Sequence, residues 1–172
     1  MPYDSKAIAN YFLDLARGQG KQIDPMQMQK LAYFAHGWCL GLKDVPLVTE
    51  RIEAWRYGPV IRELYTAFRD VGSRPITHPA YDVVVKDDGF FSFQSPTFDA
   101  DEEDGRLSRD TARRLVEEVW KVYGGFSGIQ LSNLTHQPGT PWYETWNSSH
   151  GANAVIPDEL IAKYFKGLAE QA

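Results

Sequence analysis

The chain has 172 residues and a formal net charge of −5, set by 18 basic against 23 acidic side chains. That length suits one domain able to bury a core unaided, and the acidic balance argues against nonspecific duplex binding, which needs Lys and Arg to neutralise phosphates. A single cysteine excludes an internal disulfide framework and fits a reducing cytoplasm, while no apolar run reaches the ~20 residues that span a bilayer.

In chain order, Asp4 or Ser5 can cap a first helix that stops at Gly18, with Ile8, Phe12 and Leu15 on one apolar stripe. Asp24 as N-cap, Pro25 at N1 and Gln27 at N3 make a capping box for a second helix. Met28, Leu31, Ala35, Trp38 and Leu42 follow helical spacing until Gly41 and Pro46 are expected to break it. From Pro46 to Tyr57 the alternation of Val48, Ile52 and Ala54 with polar neighbours predicts extended chain. Gly58-Pro59 then predicts a turn into a third helix with Pro59 in its first turn, Trp55 plugging the core, and Val60, Leu64 and Phe68 as its stripe.

Tyr81–Phe93 reads as a β-hairpin around Asp87-Asp88-Gly89, and such a lone ribbon is expected to lie against the helices. The run Asp99, Asp101, Glu102, Glu103 and Asp104 reads as a solvated acidic loop, with a docking strip for a basic partner as the alternative. A fourth helix is predicted from Ser108 to Tyr123, with Ala112, Leu115, Val119 and Val122 inward. Ser127 and Gln130 box the start of a short helix through Leu131 and Leu134, and Thr140-Pro141 starts another carrying Trp142 and Trp146. Pro157 and Asp158 open the last helix, where Leu160, Tyr164 and Leu168 line up. The expected class is mainly α in an α+β sense: a compact helical domain over residues 1–172 with a short extended segment and a small β-hairpin. The opening Met-Pro-Tyr-Asp-Ser-Lys lacks a signal-peptide layout, so a cytoplasmic protein is expected.

Catalytic and metal signatures do not emerge. His36, His78, His136 and His150 are scattered without zinc-site spacing, which predicts no metal and no cofactor. Cys39 beside Trp38 and Leu40 reads as a small core residue. An enzyme would have to draw on His136, Tyr57 and Cys39, whose scatter in the sequence gives that reading no support. A helical DNA-binding regulator is a further alternative, set against the acidic charge and the lack of a basic recognition helix.

Three blocks remain: Gln29-Lys30-Leu31-Ala32-Tyr33-Phe34-Ala35, Ala54-Trp55-Arg56-Tyr57-Gly58-Pro59-Val60, and Leu131-Ser132-Asn133-Leu134-Thr135-His136 followed by Pro141-Trp142. On the second helix Leu31 and Ala35 take the core stripe, leaving Lys30 and Tyr33 to reach solvent. Core packing does not require Arg56 either. Lys30, Tyr33, Arg56 and Tyr57 are therefore expected to form an aromatic and basic partner-binding patch. In this order and at these separations the blocks resemble the Panacea domain, an antitoxin module of bacterial toxin–antitoxin pairs and prophages. Trp55, Gly58, Pro59, Thr135, His136, Pro141 and Trp142 are the positions that carry the resemblance. It implies a non-enzymatic antitoxin that binds a cognate toxin protein, neutralising it by occlusion or as a proteolytic adaptor that delivers it to an AAA+ protease.

Overall fold

The structure, a computed structural model, describes residues 2–98 and 107–172. The acidic run Asp99–Asp104 lies outside the described residues. Seven helices are described: α1 (Ser5–Gly18), α2 (Pro25–Lys43), α3 (Arg62–Phe68), α4 (Arg109–Tyr123), α5 (Gly128–Thr135), α6 (Pro141–Ser148) and α7 (Asp158–Glu170). Two antiparallel ribbons accompany them, β1 (Ile52–Trp55) with β2 (Gly58–Ile61) and β3 (Asp82–Val85) with β4 (Phe91–Gln94). The mainly α expectation with a small β part is what the chain adopts.

Local chemistry places the helix starts. Asp4 accepts from Lys6 N, Ser108 from Thr111 N and Thr140 from Tyr143 N, while Asp24–Gln27 and Ser127–Gln130 close complete capping boxes. α2 is the central element, buried along most of its length between α1, α4, α5 and α7. It runs through Gly41 rather than stopping there, and Asp44 ends it in the left-handed conformation at φ 59°. Gly37 and Gly41 form a groove for Phe165 of α7: a Cβ on Gly37 would lie 2.2 Å from Phe165 Cε2, and one on Gly41 2.9 Å from the Phe165 carbonyl carbon. Glycine at both positions permits the close helix approach, at an entropic cost of roughly 1 kcal/mol each.

Several facings differ from the sequence reading. Ile161 and Phe165, one residue along from Leu160 and Tyr164, are the fully buried positions of α7. Val122 of α4 points outward and Trp120 inward. The β3–β4 ribbon forms as expected, and its base is tied to a helix. There the Asn10 side chain bonds Ala80 N, Ala80 O and Pro96 O, and Lys6 pairs with Asp82.

The β1–β2 corner is the other correction. Pro59 lies in β2, paired with Ala54, and the helix starts only at Arg62. A proline φ suits a strand as well as a first helical turn, and the missing N–H is harmless at the end of a two-stranded ribbon.

Candidate functional site

The three sequence blocks converge on the tight link between β1 and β2. Trp55 pairs with Gly58, so Arg56 and Tyr57 form a two-residue tip. Neither has positive φ, and Gly58 takes the reversal at φ 115°. Side chains from α5, its C-cap and α6 then face three successive tip carbonyls. Trp142 Nε1–H donates to Trp55 O at 2.6 Å, and Ser132 Oγ–H donates to Tyr57 O at 2.8 Å. His136 lies between them, with Nε2 3.3 Å from Arg56 O and Nδ1 2.5 Å from Ser132 O. A neutral ring donates one of those bonds and an imidazolium both.

From the opposite side, α2 holds β2. Gln29 accepts from Ile61 N at 2.9 Å and donates to Ile61 O at 3.1 Å, completing the strand's outer edge as a neighbouring strand would. Lys30 Nζ donates to Pro59 O at 3.2 Å. A Cβ at Gly58 would lie 2.7 Å from Lys30 Cε and 2.9 Å from Thr135 Oγ1. Glycine is therefore required there by sterics as well as by φ.

Behind the tip lies a cavity of about 550 Å³, walled by Met26, Trp55, Val60, Tyr65 and Phe68, with Lys30, Arg56 and Arg69 contributing cationic side chains. Trp55 is half-buried and does not plug the core. Its indole donates to Glu53 at 2.9 Å and faces the Tyr65 ring and the Arg62 guanidinium.

The four residues expected to form a patch divide in two. Tyr57 is 61% exposed, with the Arg56 guanidinium over its ring at 5.5 Å. Lys30 is only 2% exposed, however, and Tyr33 is equally buried among Phe34 and Phe165. Helical periodicity assigned both to solvent; the polar demand of β2 draws Lys30 inward, and the groove for α7 takes Tyr33. Burial lowers the Lys30 amine to about 7 and raises the Tyr33 phenol well above its ordinary range.

Gln29, Ser132 and the wall residues Met26, Tyr65 and Arg69 carry no expected role in the sequence, and Phe68 is expected only as part of the apolar stripe of its helix. Gln29-Lys30 set inside the apolar run from Met28 to Ala35 was the available signal, since adjacent polar groups on a buried helix must meet partners. Of the residues an enzyme could use, Cys39 is buried and its thiol is pushed up to about 12 by desolvation, opposite to nucleophile activation. Among the described residues there is no cluster of three His, Cys, Asp or Glu suited to a metal, and no helix is long and apolar enough to cross a membrane.

The family model described as antitoxin SocA-like, Panacea domain, matches residues 28–143, which contain all three blocks. The chain is 36% identical over 168 residues to antitoxin SocA of Caulobacter vibrioides (strain NA1000 / CB15N), an alignment covering 95% of this chain and 82% of that protein. No solved structure matches it. The converging blocks thus lie within the matched module, and the chain belongs to the SocA-like, Panacea-domain antitoxin family.

Proposed function

We propose that this chain is the antitoxin of a toxin–antitoxin pair and neutralises a cognate toxin by direct protein contact in the cytoplasm, through the Arg56–Tyr57 tip and the cavity behind it. The observation that carries the reading is the tip's construction: an exposed Arg and Tyr on a backbone whose carbonyls at 55 and 57 are each held by a separate side chain, with the His136 ring beside the carbonyl between them. Arg and Tyr are typical interface anchors, and a backbone fixed in advance loses little entropy on association. Lys30 belongs to this reading as a cavity wall, and Tyr33 as core support for α2. The family supports a non-catalytic role.

Replacing Arg56 and Tyr57 together by Ala should weaken binding of the adjacent gene's toxin by at least about 2 kcal/mol, roughly 30-fold, with the melting temperature unchanged. Wild-type affinity in a well-folded double variant, measured by calorimetry, would move the contact elsewhere. The finer proposal is that the captured toxin is delivered to an AAA+ protease. It requires toxin half-life to shorten when this protein is co-expressed and to recover in a protease-deficient host. A half-life unchanged by co-expression, with growth restored, would establish occlusion instead.

A further inference from the structure

The cavity behind the tip has a polarity that packing does not account for. At about 550 Å³ it has the size of a small-molecule or side-chain pocket. Its wall holds four aromatic rings and three cationic side chains, and no carboxylate. Lys30 stands out among these. It is almost fully buried, and Pro59 O is its one partner among the described residues, although an ammonium carries three hydrogens.

The ionisable groups that line the cavity with it are Arg56 and Tyr57 from the tip, Tyr65 from α3 and Arg69 beyond it, with His136 beside the Arg56 carbonyl; none is a carboxylate. Nearby acids are engaged elsewhere. Glu53 on β1 pairs with Arg62 and the Trp55 indole, and Asp24 caps its own helix. The N-terminal residues of α2, Pro25 and Met26, also face the cavity and add the positive end of that helix. A buried cation with no counter-ion is costly, and desolvation has lowered the amine to about 7, between its two forms at neutral pH. An acid brought from outside would remove that cost.

We propose that this cavity is a receptor for a carboxylate carried on an apolar body, the acid paired with Lys30 and the body packed against Trp55, Tyr65 and Phe68. Apolar walls favour a singly charged acid over a strongly hydrated phosphate. Resting on the antitoxin reading above, the carboxylate is assigned to the toxin: an acidic side chain or chain terminus beside an apolar residue, inserted behind the Arg56–Tyr57 tip. Because the acid binds the ammonium form, its entry draws a proton onto Lys30, and affinity falls by up to roughly tenfold per pH unit as pH rises above about 7.

The test uses 3-phenylpropionate and its uncharged isostere 3-phenylpropanamide, titrated into the intact protein and followed by NMR at the Trp55 indole and Met26 methyl signals. The acid should bind at least about tenfold more tightly than the amide at pH 6.5, lose that advantage by pH 9, and lose it at all pH values in Lys30→Met. Lys30→Gln, which keeps a donor for Pro59 O, should behave as Lys30→Met does and controls for a folding defect. Equal binding of acid and amide, or binding of neither, overturns the pocket whether or not a toxin is bound. The toxin arm is separate. Selective acid binding with toxin affinity unchanged in Lys30→Met overturns the polypeptide source and leaves a free small acid as the ligand. Selective acid binding with no toxin bound by the wild type removes the antitoxin reading and the polypeptide source together.

Discussion

The two ribbons have the same length and pairing and opposite surroundings. All four residues of β2 are buried, the 154–156 segment bonds the outer edge of β1, and the Gln29 amide bonds that of β2. In β3–β4 the side chains of Val83, Val85, Phe91 and Phe93 share one face, 54%, 63%, 68% and 69% exposed. β-branched and aromatic residues make a good strand, but they do not decide whether a strand is covered. Coverage comes from polar partners placed on other elements. β1–β2 has them on α2, α5 and α6, whereas among the described residues Asn10 and Lys6 tie β3–β4 at its base.

Gly58→Val would break this comparison most severely. It places a side chain at φ 115° against Lys30 and Thr135, and should cost about 3 kcal/mol, the upper end for a strained backbone, or roughly 10 °C in melting temperature for a chain of this size. An unchanged melting curve would mean the anchored ribbon is not anchored.

Lys30→Met sharpens it through pH. The folded pKa of Lys30, about 7, lies below its ordinary 10.5. Between those values the unfolded chain binds the additional proton, so stability rises with pH across that window, by up to about 1.4 kcal/mol per pH unit. Below about 7 both states hold the proton and the slope vanishes. Denaturation between pH 6 and 10 should show this rise in the wild type and a flatter curve in Lys30→Met. Parallel curves would indicate that the amine keeps its charge in the fold.

The smallest effect is expected at the other ribbon. Phe91→Ser with Phe93→Ser should shift stability by no more than about 0.5 kcal/mol, as surface changes do, while lowering the binding of a hydrophobic dye. A loss above about 2 kcal/mol would show that this face is covered in solution.

Much of the fold could be read from the chain because helix starts are local. Asp24 with Gln27, Ser127 with Gln130 and Pro141 after Thr140 each act within a few residues, as does the Asp87-Asp88-Gly89 turn. The site was legible as a set of blocks and illegible as geometry. Nothing near Lys30 in sequence announces that Pro59 needs a donor, and nothing near Trp142 announces an acceptor at Trp55. The facing of α7 was missed by one residue for a related reason: Gly37 and Gly41 on α2, over a hundred positions earlier, select Phe165 for the groove. Such pairings belong to two elements at once, and the periodicity of either cannot express them.

The Phe165 groove also bears on synthesis. Residues 158–170 leave the ribosome well after α2, so the glycine notch and the Tyr33 edge beside it lack their Phe165 cover until α7 arrives. A nascent chain halted before Phe165 exposes an apolar helix face that chaperones and proteases recognise. Closure by α7 therefore ties the covering of that face to translation through Phe165.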